Sequence, residues 1–159
     1  MKNMNDIYFM KLTLRLAKKA YSLGEVPVGA IVTLDNKIVG YGYNLKETLK
    51  DATEHAEIRA LKMAAKNLKT YHLEGGRMYV NLEPCSMCAG AMVLFRIKTL
   101  VIGCDSLRMG AAGSNLNILN REGLNHKVEV VRGVLKDESN RLISNFFEEM
   151  RFYKERNGR

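Results

Sequence analysis

Cysteine is scarce in this chain: three in 159 residues, two of them in one C-x-x-C at Cys85 and Cys88. That is too few for a disulfide framework, and a reducing, cytoplasmic setting is the expectation. Long apolar runs are also missing. The stretch 89–95 is among the longest, and it falls well short of the roughly 20 residues that cross a bilayer. The N-terminal region has no apolar core followed by a small-residue cleavage site, so no secretory signal is expected. No internal repeat and no low-complexity linker interrupts the sequence, which predicts a single domain over 1–159. Acidic residues are outnumbered, 17 against 25 Lys and Arg, leaving a formal charge of +8. Such an excess either serves solubility alone or matches a polyanion, since phosphate contacts dominate nucleic-acid affinity.

The periodicities predict alternating helices and strands. Ile7, Met10, Leu14, Ala17 and Tyr21 recur at three- and four-residue spacing and make 4–23 an amphipathic helix, with Gly24 as its stop. Residues 28–34 and 37–43 are apolar and β-branched and meet at Asp35-Asn36, a hairpin signal. Residues 44–53 break every period and read as a loop. Thr53 is then expected to cap a helix over about 54–68 with Ile58, Leu61, Ala64 and Ala65 inward. Gly75-Gly76 marks a turn before a buried strand at 77–82. A short apolar helix over about 86–95 and a strand at 100–104 follow. Residues 105–117, rich in Gly, Ala and Ser, read as a shaped loop, and 128–131 as a fifth strand. The chain ends on a long charged helix, about 136–156, whose inner stripe is expected to include Leu142, Ile143, Phe146 and Phe147. This alternation predicts an α/β sandwich with helices on both faces of the sheet.

The chemistry concentrates in Glu83-Pro84-Cys85-Ser86-Met87-Cys88, taken with His55-Ala56-Glu57 upstream. Cysteines three apart at a helix start bring both sulfurs to one side, and the helix N-terminus favours the thiolates. A C-x-x-C alone also fits a redox dithiol or a structural zinc. Joined to a histidine about thirty residues earlier, it describes an open zinc site with His55, Cys85 and Cys88 as ligands and water in the fourth position. Glu57, two residues from His55, does not share a helix face with it. The two converge only if the first turn of their helix points end-on at the metal. Glu57 then remains free to move protons as general acid and base, outside the metal's coordination. Cys104 lies in an apolar strand and reads as structural. His72 and His126 have no companions at ligand spacing and read as surface or loop residues.

His-x-Glu followed by Pro-Cys-x-x-Cys is the signature of zinc nucleobase deaminases. Over nearly its whole length the chain resembles, more narrowly, the bacterial tRNA-specific adenosine deaminase family of the zinc-dependent cytidine/deoxycytidylate deaminase superfamily. The matching text is 54–58, 82–92, Gly110-Ala111-Ala112-Gly113-Ser114, 125–130 and Asn145-Phe146-Phe147. The resemblance implies hydrolytic deamination of adenosine to inosine at the wobble position of a tRNA anticodon, with one Zn2+ per chain. It implies a three-layer α/β/α sandwich around a five-stranded mixed sheet of the cytidine-deaminase type. It also implies a homodimer whose partner helps build the site for the tRNA anticodon stem-loop. By the same resemblance Asn44 bonds the flipped nucleotide, Val28 lines its pocket, and Arg108 and Phe147 belong to segments that shape the anticodon-loop contact. Ser106 stands where the family usually carries Asp against a neighbouring ribose, and Glu148-Glu149 stand where it tends to basic residues. Two other readings are compatible with the residues. A free-base or nucleoside deaminase acting on guanine or cytosine would share the zinc motif. A non-catalytic RNA-binding module would need a fourth protein ligand, for which only Cys104 is at hand.

Overall fold

A computed structural model describes residues 4–158 of the chain. In order the elements are α1 (Met4–Ser22), β1 (Gly29–Leu34), β2 (Lys37–Tyr43), α2 (Lys46–Leu49), α3 (Ala56–Leu68), β3 (Arg77–Leu82), α4 (Ser86–Leu94), β4 (Thr99–Cys104), β5 (Glu129–Val131) and α5 (Lys136–Asn157). The strands form one mixed sheet in the order β2-β1-β3-β4-β5. β1 is antiparallel to both β2 and β3, whereas β3, β4 and β5 run parallel. This is the five-stranded mixed sheet that the resemblance implied.

Alternation along the central strands divides the core in two. Ala30, Val32, Met78, Val80, Leu100 and Ile102 face α3 and α4, where they meet Ala60, Leu61, Ala64, Ala89 and Met92. Ile31, Tyr79 and Val101 point the other way, onto Phe9 and Met10 of α1. α5 shares that second layer, and Phe146 packs edge-on to Tyr21 at the end of α1. β4 is buried along its whole length because parallel neighbours and helices cover both of its faces. The β1–β2 turn has Asp35 and Asn36 at φ 51° and 60°. Left-handed residues at both positions match the twist of a two-residue hairpin. On the α1 side, buried Asp6 accepts hydrogen bonds from the Tyr79 hydroxyl and from Arg77 Nη2, each at 2.8 Å, tying the helix to β3.

Two expectations require correction. Residues 44–53 are not loop throughout, for α2 forms inside them. Its N-terminus is capped from a distance by the Glu25 carboxylate, which accepts from the Glu47 and Thr48 amides at 2.9 and 2.7 Å and from the Thr48 hydroxyl at 2.7 Å. Nothing in the local sequence carries that partner. Phe147, placed on the inner stripe of the last helix, is instead 46% exposed. The buried stripe of α5 includes Ser139 and Phe146, and beyond Phe146 the described residues of the helix are all exposed.

α3 approaches the sheet closely enough for main chain to rest on main chain. A Cβ on Gly42 would stand 2.6 Å from the Ala56 carbonyl oxygen and 2.7 Å from Arg59 Cβ, and one on Gly40 2.7 Å from the Ala64 nitrogen. Neither α3 nor β2 has room to yield. Gly42→Ala is therefore expected to lose about 1–3 kcal/mol, the usual cost of overpacking, read as a lowered urea midpoint. A wild-type midpoint would mean that α3 does not sit at this distance.

Candidate active site

His55 is the N-cap of α3, with φ −78° and ψ 151°. That extended backbone sets His55 at the end of the helix instead of on its flank, as the end-on arrangement requires. Thr53 does not cap this helix as expected, because its amide and hydroxyl both turn back to Asp51 Oδ1 at 2.8 and 2.7 Å. The cap comes from Asn44, whose Oδ1 accepts from the Ala56 amide at 2.9 Å while its Nδ2 donates to the Val26 carbonyl at 3.0 Å. One amide hydrogen and one lone pair of Asn44 are left for a ligand. Its own amide donates to the Val28 carbonyl at 3.1 Å. Val28 is buried in the core cluster that also contains Ala56 and Cys88.

Cys85 repeats the device on α4, as its N-cap with φ −73° and ψ 177°. Cys88 follows one turn later and is fully buried. The His55 Nδ1 atom lies 3.6 Å from the sulfurs of both Cys85 and Cys88. All three donor atoms fall within 4.8 Å of one another, and among the described residues they form the one such group of His, Cys, Asp or Glu. A tetrahedral zinc with bonds of about 2.3 Å to sulfur and 2.0–2.1 Å to nitrogen separates S from N by about 3.6 Å. Donor types and spacing therefore fit Zn2+, held by two thiolates and one imidazole. The donors also polarise each other. The hydrogen bond with Cys88, joined by that of His55, draws the Cys85 thiol down to about 4 against the effect of its burial. The same contact with Cys85 pushes the Cys88 thiol up. Cys85 likewise raises His55.

Glu57, in the first turn of α3, is only 4% exposed. Burial pushes its carboxyl above the usual carboxylate range, against the opposing effects of its own backbone, His55 and Cys88. It lies beside the donor cluster without belonging to it. Cys104 is buried at the end of β4, outside the cluster, so no fourth protein ligand among the described residues completes the site. His126 is half-buried, its Nε2 2.7 Å from the Ile97 carbonyl oxygen. His72 is exposed.

The 105–117 loop lies against the cysteine turn, with the Ala111 amide donating to the Pro84 carbonyl at 2.9 Å. Ser106 is half-buried and Arg108 is exposed on this loop. Phe147 is on α5, in the opposite helical layer. Two residues without an assigned role shape the loop against the cysteine turn: Glu83 and Arg132. Glu83 adjoins the motif, which was the one available signal. Burial opposes its charge, yet the Ser114 hydroxyl and the amides of Ser114, Ala112 and Ser106 hold its carboxyl below the usual range. Arg132, an isolated cation just after a strand, carried no signal at all.

Residues 3–104 match the cytidine and deoxycytidylate deaminase zinc-binding region. The chain is 43% identical over 146 residues to a tRNA-specific adenosine deaminase of Bacillus subtilis, covering 92% of this chain and 91% of that one. It is 45% identical over 147 residues to one of Haemophilus influenzae, covering 92% and 85%. A solved structure from studies of A-to-I editing by tRNA:A34 deaminases at the wobble position superposes with a TM-score of 0.82 at 36% identity, over 85% of this chain and 98% of that one. A guanine deaminase of Nitrosomonas europaea, 23% identical, covers 86% and 81% with a TM-score of 0.73 and shares the fold.

Proposed function

The chain belongs to the zinc-dependent cytidine and deoxycytidylate deaminase family, and from that premise we propose that it converts adenosine to inosine at the wobble position of a tRNA anticodon. The observation that carries this reading is a three-donor zinc site with a buried, non-ligating carboxyl beside it, in a chain that matches tRNA-specific adenosine deaminases over nine-tenths of its length.

Zinc held by His55, Cys85 and Cys88 supplies a Lewis acid that makes water acidic near neutral pH. Glu57 takes the proton that the attacking water gives up. It delivers that proton to the purine ring nitrogen, takes the remaining proton of the same oxygen as the carbonyl forms, and passes it to the departing amine, so that adenosine and water become inosine and ammonia. The rise that burial imposes on the Glu57 carboxyl suits a group that must both accept and return a proton. Asn44, already fixed by Val26 and Ala56, offers its remaining hydrogen-bonding capacity to the flipped nucleotide. Val28 packs the pocket wall, Ser106 meets the neighbouring ribose, and Arg108 and Phe147 contact the anticodon loop. Phe147 is exposed, as base stacking requires.

One domain over 1–159 performs this reaction, as a cytoplasmic homodimer. Leu94, Leu107 and Met109, exposed at 74%, 82% and 61%, give a second copy an apolar surface near the site. No helix among the described residues is long and apolar enough to cross a membrane.

The deciding experiment compares inosine formation in an unmodified tRNA bearing a wobble adenosine with ammonia release from free guanine, cytosine and adenosine. Ammonia from free bases with no inosine in tRNA would overturn the reading. Affinity for the RNA should also fall steeply with salt. With about 3–4 phosphates neutralised, a fourfold rise in salt costs roughly 10²-fold in binding through counterion release. A flat salt dependence in a titration would mean that the +8 charge does not face RNA.

A further inference from the structure

The side chain of Glu83 is wholly enclosed, and its two oxygens gather several donors of the loop behind the zinc ligands. It accepts from the Ser106, Ala112 and Ser114 amides at 3.3, 3.0 and 3.1 Å and from the Ser114 hydroxyl. Arg132 Nη2 adds an ion pair at 2.7 Å. The rest of that guanidinium spreads over the same loop. Nη1 donates to the Ala112 carbonyl at 2.5 Å, Nε and Nη2 to Asp105 Oδ1 at 3.1 and 2.9 Å, and Nη2 also to the Ser114 hydroxyl at 3.2 Å.

The loop needs such a fastening. Apart from one bridge between Ala112 and Asn117, it has no ladder of its own, so no local periodicity fixes its course. Gly110 passes directly over the Glu83 carboxyl, where a Cβ would collide with that carboxyl and with the Ser106 carbonyl. The neighbouring Ala111 amide meets the Pro84 carbonyl, one residue from the ligand Cys85. A buried carboxylate with one opposite charge thus joins the segment after β5, the loop and the metal-ligand turn.

We propose that Arg132 is a positioning residue: through Glu83, Asp105 and Ala112 it clamps the 105–117 loop against the Pro84–Cys85 turn, in the shape that presents Ser106 and Arg108 to the nucleotide beside the target base. The nucleotide in this statement rests on the function proposed above; the clamp does not. Arg132 acts on the substrate only through the loop. Its planar fork serves carboxylates and a carbonyl at once, whereas a lysine at this position is a single point charge that keeps the pair with Glu83 and gives up the other links.

The test measures hydrogen exchange of the backbone amides, zinc content, and steady-state deamination of an RNA hairpin with a wobble adenosine, for wild type, Arg132→Lys and Arg132→Ala. Zinc is expected to stay at one per chain. The Ser106, Ala112 and Ser114 amides should exchange about 10-fold faster or more in both variants, while those of β1 and β3 keep their protection. KM should rise about 10-fold with kcat within about threefold, the mark of binding lost without loss of chemistry. Wild-type exchange at those three amides, or a fall in kcat with KM unchanged, would overturn the clamp. If Arg132→Ala does not fold, Arg132→Lys carries the same readings. A wild-type enzyme that forms no inosine would remove the functional premise, and the exchange rates would still decide whether Arg132 holds the loop.

Discussion

Glu57→Gln is expected to fold and bind zinc like the wild type while losing at least about 10²–10⁴-fold in deamination rate, the range typical of one general acid–base group. The upper end is the more fitting because one carboxyl serves several proton steps. Glutamine has nearly the same shape and fills the same buried position beside Cys88, so packing is preserved. It has no proton to exchange at neutral pH, so the effect isolates the chemistry. Turnover and zinc content must be measured on one preparation. A rate within a few-fold of wild type would remove Glu57 from the mechanism, and loss of zinc in the same protein would make it a ligand.

Cys88→Ala should abolish both zinc retention and turnover and lower the melting temperature. Structural zinc sites bind with apparent free energies of about 10–16 kcal/mol in small zinc domains, and binding of this kind is coupled to folding. Three donors 3.6 Å from imidazole to each sulfur are the minimum for an open catalytic site, so deleting one leaves a pair that cannot enclose the metal. Cys88 is also the most deeply buried of the three, and its loss opens a void between α3 and α4. Cys104→Ala serves as the matched control, since Cys104 is a buried cysteine outside the cluster and should keep full zinc. Near-stoichiometric zinc in purified Cys88→Ala would refute the ligand assignment.

The ligand set was legible because metal chemistry constrains residue type and spacing at once. His55, Glu57, Cys85 and Cys88 stand out by type and spacing once the two short motifs are read together, and the end-on helix follows from a two-residue separation that cannot share a face. What escaped depends on contacts between distant segments. Thr53 is a good cap by type, but Asp51 competes for it locally while Asn44 reaches the Ala56 amide from twelve residues away. α2 exists because Glu25 caps it from across the fold. Phe147 continues an apolar stripe in sequence, yet burial along α5 ends at Phe146. Arg132 and Glu83 meet across 49 residues. The polar pairings among these have no periodicity to betray them, because each is a single meeting of one group with its partner.

The close seating of α3 on Gly40 and Gly42 determines where this enzyme tolerates genetic change. The height of the helix above the sheet, and with it the level at which His55 and Glu57 emerge, is gauged by peptide against peptide. Side chains around that contact, such as Val39, Ile58 and Leu68, can be exchanged for others of similar volume and repack without moving the gauge. Substitutions at the two glycines have no such freedom. A saturation library read by inosine formation should therefore contain broad permissive neighbourhoods along α3, interrupted at two sharply intolerant points on a strand that bears none of the zinc ligands.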